Sequence, residues 1–198
     1  MQMFGKARSK MVACGIVSLL AALNASAVEQ PTVTELLKPL NLSGYASGMR
    51  PPEFSGRTSD GKMLSLTGLR EKVVVVNFWA TWCLECRPEM PMFERLHREF
   101  GAQGLSVIGI NAREGAAAVR VYAKELGLTF PLILDPSGKI NSAYGVIGLP
   151  TTFLIGRDGR PVALAVGPRE WSGKAARALI QVLLAEPAPL KETRSMAR

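Results

Sequence analysis

Histidine is almost absent from this 198-residue chain: His97 is the only one, and cysteine is limited to Cys14, Cys83 and Cys86. That scarcity excludes much metal and nucleophile chemistry. A closed structural zinc site takes four nitrogen or sulfur ligands, and here only two thiols, Cys83 and Cys86, lie together in the sequence. His97 follows Cys83 by 14 residues, which on one helix is about 21 Å at 1.5 Å per residue, too far for a Cys–His nucleophile pair. It reads as a helix surface residue. Long blocks of one charge are also lacking: 24 basic and 16 acidic residues are interspersed, so the net charge of +8 forms no run of the nucleic-acid-binding kind. Nor is there an apolar run of the roughly 20 residues that a spanning helix needs.

The longest apolar stretch, Met11 to Leu23, is 13 residues; Lys6, Arg8 and Lys10 precede it and Ala25-Ser26-Ala27 follows. A charged, then apolar, then small-residue order reads as a secretory signal over 1–27, cleaved after Ala27. The alternative is an uncleaved segment anchoring the protein to the inner membrane. Cys14 lies near the start of the apolar run, not after it where a lipid-bearing cysteine belongs, and it leaves with the signal. The expected mature chain has 171 residues and a net charge of +5, because three basic residues are lost. Its two remaining cysteines would reside in the periplasm, a compartment where disulfides persist. That length suits a single domain, expected as a monomer with no nucleic-acid partner. Proline-rich residues 28–52 read as a linker with one short helical turn near Thr34 to Lys38. Residues 53–185 form the compact domain, and 186–198, with Pro187 and Pro189, read as a disordered tail.

Within the domain, Phe54 to Arg57 and Lys62 to Leu66 flank Ser59-Asp60-Gly61, a hairpin turn signal. Lys72 to Phe78 is a continuous β-branched apolar run, expected as a buried strand, and Leu105 to Asn111 is a second. Between them a helix is predicted from Cys83 to about Phe100, with Cys86, Met90, Phe93, Leu96 and Phe100 on one face. Pro88 is tolerated in its first turn, but Pro91 should kink it. A helix over Glu114 to Leu126 closed by Gly127, a strand over Phe130 to Leu134, a short helix near Ile140 to Tyr144, a hairpin of Thr151 to Ile155 with Val162 to Val166, and a closing helix through Ala175, Leu179, Val182 and Leu183 complete the pattern. The fold class is α/β, a mixed sheet covered by helices on both faces.

Trp82-Cys83-Leu84-Glu85-Cys86 therefore stands where a buried strand turns into a helix. Unpaired N–H groups and the positive end of the macrodipole stabilise a thiolate there, which marks Cys83 as the nucleophile. Cys86, three residues on, falls on the same helical face and can close a disulfide with Cys83 or expel a mixed disulfide. Arg87 favours the thiolate. Glu85 either opposes it by like charge or is simply a first-turn acid complementing the dipole. Trp79 reads as core, Trp82 as a surface lid beside Cys83, and Trp171 as packing for the last helix without a catalytic role.

The run from Val76 to Pro91, containing Trp82-Cys83-Leu84-Glu85-Cys86-Arg87-Pro88-Glu89-Met90-Pro91, together with Tyr144-Gly145-Val146-Ile147-Gly148-Leu149-Pro150-Thr151-Thr152-Phe153, resembles the thioredoxin fold. Specifically, it is similar to the exported TlpA/ResA-like group of thiol:disulfide oxidoreductases, over roughly residues 52–185. The resemblance implies a thioredoxin-like mixed sheet with an N-terminal hairpin, and an inserted helix–strand unit at 114–134. It implies that Cys83 attacks a substrate disulfide and Cys86 resolves the intermediate, with no cofactor beyond that redox-active pair. Pro150 would be cis, and the backbone of Leu149 would pair with the substrate chain. Asn77 stands where general thioredoxins carry a buried Asp, so the proton acceptor for Cys86 falls to Glu85 or Glu89. The partners implied are a protein with a disulfide or cysteine pair, such as apocytochrome c or a copper-site protein, and a membrane electron donor of the thiol–disulfide type. Two alternatives to a reductase remain at this point: a disulfide oxidase or isomerase, and a non-catalytic copper-binding or redox-sensing module.

Overall fold

The computed structural model describes residues 31–45 and 50–188; the expected signal segment at 1–27 and residues 189–198 of the expected tail lie outside the described residues. Chain order begins with a short helix α1 (Val33–Leu37), whose N-terminus Thr32 and Glu35 close by a reciprocal capping box, then a 3-10 turn and the two-residue strand β1 (Ser43–Gly44). Helix α1 falls on the short helical turn expected near Thr34 to Lys38, whereas the 3-10 turn and β1 are additions to the linker expected over 28–52. Leu36, Leu37 and Leu40 are buried in the main core, and β1 pairs antiparallel with the strand at 161–166. The apolar side chains at 36, 37 and 40 are too sparse to announce by period that this segment packs on the core, and a two-residue strand has no pattern of its own.

The hairpin β2 (Ser55–Arg57) and β3 (Met63–Ser65) forms a separate two-stranded sheet. The main sheet is built on β4 (Val73–Trp79), in which every residue is buried. It pairs parallel with β5 (Leu105–Ala112) and antiparallel with β7 (Thr151–Ile155). With β6 (Leu132–Asp135) and β8 (Pro161–Val166) the order is β1-β8-β7-β4-β5-β6. Parallel β4–β5–β6 connections require crossover helices, and α2 (Glu89–Phe100) and α3 (Ala116–Leu126) supply them. The inserted helix–strand unit is thus α3 and the edge strand β6. A short helix α4 (Lys139–Ala143) precedes β7, and α5 (Lys174–Ala185) closes the chain.

Because β4 alternates, Val73, Val75 and Trp79 face a core shared with α1, α2, α3 and α5, whereas Val74, Val76 and Phe78 face Phe54, Ile133, Tyr144 and Phe153 on the other side. Each such side chain stabilises the fold by roughly 1.5–3 kcal/mol through burial. Gly109 is required by one of these contacts: a Cβ there would lie 2.7 Å from Trp79 Nε1 and 2.8 Å from Leu132 Cδ2, so only a bare backbone lets the indole lie across β5.

The helix expected from Cys83 begins instead at Glu89. Residues between carry successive i→i+3 bonds, Cys83 N–H to Ala80 O, Cys86 N–H to Cys83 O and Glu89 N–H to Cys86 O, at 3.1–3.2 Å. Pro88 explains the delay, since it has no N–H to donate and its ring crowds the carbonyl four residues back. The later start also removes the expected kink. Pro91 is the third residue of α2, where N–H groups lack intrahelical acceptors anyway.

Candidate active site

Cys83 and Cys86 are joined by a disulfide, with Cα atoms 5.3 Å apart, on the turns that lead from β4 into α2. The two sulfurs are not equivalent. Cys83 retains 7% exposure and Cys86 none. Cys86 N–H donates to Cys83 Sγ at 3.2 Å, so one backbone donor still faces that sulfur although the helix proper starts six residues later. Cys83 opens onto a groove of about 510 Å³ that also includes Trp82, Arg113, Ile147, Gly148 and Leu149. Trp82 is 67% exposed beside it, as a lid would be, and Leu84, between the cysteines, is exposed as well. The Leu149–Pro150 bond is cis, with Pro150 buried and Leu149 facing the groove. The predicted residues 82, 83, 149 and 150 are thereby brought together from segments more than sixty positions apart.

The two candidate acids separate. Glu85 is exposed. Glu89 is 1% exposed, directly following the cysteine turns, with its N–H on the Cys86 carbonyl. Its Oε1 accepts from Arg169 N–H and Trp171 Nε1–H, each at 2.7 Å, while Oε2 is buried without a partner. Burial disfavours the charged form more than those two donors favour it, and the carboxyl is pushed up to about 7. Trp171, expected only to pack the last helix, stacks on Phe93 of α2 at 5.4 Å and holds this acid. The Arg169 guanidinium in turn donates to Asn41 O at 3.1 and 3.2 Å, tying the N-terminal segment to the loop that carries Glu89's donors.

Other expectations are corrected by their partners. Arg87 is not poised over the thiols: it pairs with Glu125 and lies 5.4 Å from the Tyr122 ring centroid, both on α3. Asn77 is buried in β4 and donates Nδ2–H to Thr152 Oγ1 of β7 at 3.0 Å. His97 is half-buried rather than on the surface, its ring edge-on to Phe130. Glu114 lies before α3, not in it, and accepts from Thr81 N–H at 2.7 Å, from the Thr81 hydroxyl and from Asn111 Nδ2 at 2.7 Å. It clamps the residue before Trp82-Cys83 to the end of β5. Asn111 is three positions away, but nothing in the sequence near Glu114 announces the clamp on Thr81, which comes from 33 positions away. Among the described residues, no group of three or more His, Cys, Asp or Glu side chains is placed to hold a metal. The arrangement supports exchange of a disulfide between an accessible sulfur and a buried one, with the buried carboxyl-bearing residue Glu89 three positions after the buried sulfur.

Comparison with known proteins agrees with this geometry. Residues 48–162 match the AhpC/TSA family. The thiol-disulfide oxidoreductase ResA of Bacillus subtilis (strain 168) is 36% identical over 122 residues, covering 62% of this chain and 68% of that protein. The crystal structure of a thiol:disulfide interchange protein of the thioredoxin family from Chlorobium tepidum TLS superposes with a TM-score of 0.64 at 31% identity, over 71% of this chain and 99% of that one. A secreted thiol-disulfide isomerase from Corynebacterium glutamicum gives a TM-score of 0.63 at 27% identity, over 73% and 92%.

Proposed function

The chain belongs to the AhpC/TSA family and is a thioredoxin-like thiol-disulfide oxidoreductase, and from that premise we propose that it is an exported reductase of specific protein disulfides. The observation that carries the proposal is the unequal pair: Cys83 open to a groove, Cys86 sealed beneath it next to Glu89. In the reduced protein, the Cys83 thiolate attacks one sulfur of a substrate disulfide, forming a mixed disulfide and releasing the other substrate sulfur as a thiolate. The Cys86 thiol gives its proton to Glu89, whose Oε1 is pinned by Trp171 and Arg169 and whose Oε2 is free to carry it. Cys86 then attacks the Cys83 sulfur, and the second substrate thiol leaves. Two electrons pass from the protein dithiol to the substrate, the Cys83–Cys86 disulfide remains, and no other cofactor takes part.

Reduction rather than oxidation is favoured by what faces Cys83. A strong oxidant owes its potential to a stabilised thiolate; here the regular helix starts only at Glu89, Arg87 is engaged by Glu125, and Glu85 adds a carboxylate to the dipeptide. Export rests on the signal pattern of residues 1–27 and on likeness to a protein described as secreted. No helix among the described residues is long and apolar enough to cross a membrane. In an oxidising periplasm such a reductase would be recharged by a membrane thiol–disulfide carrier and would serve cysteines that must stay reduced, those of apocytochrome c or of a copper-site protein. The deciding measurement is the reduction potential of the pair against glutathione. A value near or below about −270 mV is expected, and one near about −120 mV overturns the reductase reading in favour of an oxidase.

A further inference from the structure

Arg113 is the feature of the groove that the exchange chemistry leaves unused. It lines the same groove as Cys83, Ile147 and Leu149, is exposed, and its guanidinium makes no hydrogen bond or ion pair to any of the described residues. The nearby carboxylates are occupied elsewhere: Glu114 by Thr81 and Asn111, and buried Asp135 by the backbone and side-chain N–H groups of Asn141. Its backbone adopts φ +62°, a left-handed conformation that a non-glycine residue rarely takes, and its N–H is tied to Asp135 O at 3.1 Å. Such a conformation in a bulky side chain is disfavoured and persists where surrounding structure enforces it, often at ligand-contacting sites. The guanidinium lies against Gly138, itself at φ +71°: a Cβ there would come within 2.9 Å of Arg113 Nε and 3.3 Å of a terminal guanidinium nitrogen. A bare backbone shelf thus seats a single unpaired cation in a groove whose other walls, Trp82, Val146, Ile147 and Leu149, are largely apolar.

We propose that Arg113 forms a carboxylate subsite beside Cys83, so that preferred protein substrates carry an aspartate or glutamate close to the cysteine that Cys83 attacks. An unpaired guanidinium matches a carboxylate in charge and in its planar two-pronged geometry. An extended substrate segment lying along Leu149 would place its apolar side chains on Trp82 and Ile147, the latter 95% exposed, and its acidic one on Arg113. The proposal rests on the reading of Cys83 as the attacking thiol.

The test compares two short peptide disulfides, each a pair of identical chains joined through their cysteines, with either Asp or Asn next to the cysteine. Reduced full-length protein is mixed with each, and the second-order rate of peptide thiol release is measured at low and high salt. The Asp peptide is expected to react about fivefold faster at low ionic strength, with the ratio falling toward one at about 1 M salt. Arg113→Gln should bring the ratio to one, and Arg113→Glu should invert it. Because the ratio is taken within one protein, partial misfolding of a variant cancels. A wild-type ratio of one, or a ratio unchanged in Arg113→Gln, overturns the subsite. Wild-type reduction of the small, neutral 2-hydroxyethyl disulfide separates the two levels. If it proceeds without any charge preference among peptides, only the subsite falls; if neither it nor any peptide is reduced, the assignment of Cys83 falls as well.

Discussion

Two buried acids on one helix behave in opposite ways. Glu89 at the start of α2 is 1% exposed and Glu94, five residues on, is 6% exposed. Burial pushes both toward the neutral form. At Glu94 that effect is outweighed by Thr129 N–H at 2.7 Å, by Arg98 Nε at 2.5 Å and by the Thr129 hydroxyl at 2.7 Å, which together hold the carboxyl below its ordinary range. At Glu89 two neutral donors share one oxygen, the other has none, and burial wins. Desolvation alone therefore does not decide protonation. Partners decide it, and the helix has a fastened, charged middle and a proton-poised first residue directly after the cysteine turns.

The largest expected effects probe that reactive end. Cys83→Ser should abolish turnover and trap no partner, whereas Cys86→Ser should accumulate mixed disulfides, because the first bond needs the accessible sulfur and its release needs the buried one. Non-reducing electrophoresis and mass spectrometry of the adducts read both outcomes and identify the substrate; trapping by Cys83→Ser would reverse the roles.

Next in size is the pH dependence of stability contributed by Glu89. Its folded pKa is about 7 against an ordinary carboxyl value of 4.5, so the folded state holds a proton that the unfolded chain releases between these values. The contribution to stability is fully present below pH 4.5 and is lost as pH rises to about 7, by about 3 kcal/mol at most. Urea denaturation of the oxidised protein should show that decline in wild type and lack it in Glu89→Gln. Equal slopes in the two proteins would mean that Glu89 is charged throughout. In the same variant the release of Cys86-resolved product should lose its rise near neutral pH.

Glu94→Ala sharpens the contrast from the other side. It removes the acceptor of the Thr129 N–H and should lower the unfolding free energy by about 2 kcal/mol, with the exchange rate per folded molecule unaltered. A large loss of exchange rate would erase the division of the helix into structural and reactive parts. The smallest effect is expected at Glu85, which sits in water between the cysteines. Glu85→Gln removes a like charge from beside the thiolate and should make the pair more oxidising, by less than the ~30 mV that a full pKa unit would give, since solvent screens it. An unchanged potential would leave Glu85, which lies before α2 rather than in its first turn, without an electrostatic role at the thiolate.

Much of this was legible in the chain because it is local. The apolar run at 73–76 announces β4, the Asp60-Gly61 and Asp158-Gly159 turns announce hairpins, and the Cys83/Cys86 spacing together with the segment around Pro150 marks the reactive corner. These follow from period, turn chemistry and reach between neighbours, which a sequence states directly. The start of α2 was misread by six residues although Pro88 was in view, because periodicity extends a helix past the point where hydrogen bonding permits it. What only the tertiary structure decided are the partners: Trp171 and Arg169 on Glu89 from 82 and 80 positions away, Glu114 on Thr81, the strand at 43–44 beside β8, and Arg113 in the groove of Cys83 with no counter-ion among the described residues. Charge state and accessibility are set by what surrounds an atom in space, so residue types alone placed the two sulfurs, while the fold made one reachable, buried the other and held the acid at the start of α2 toward its neutral form.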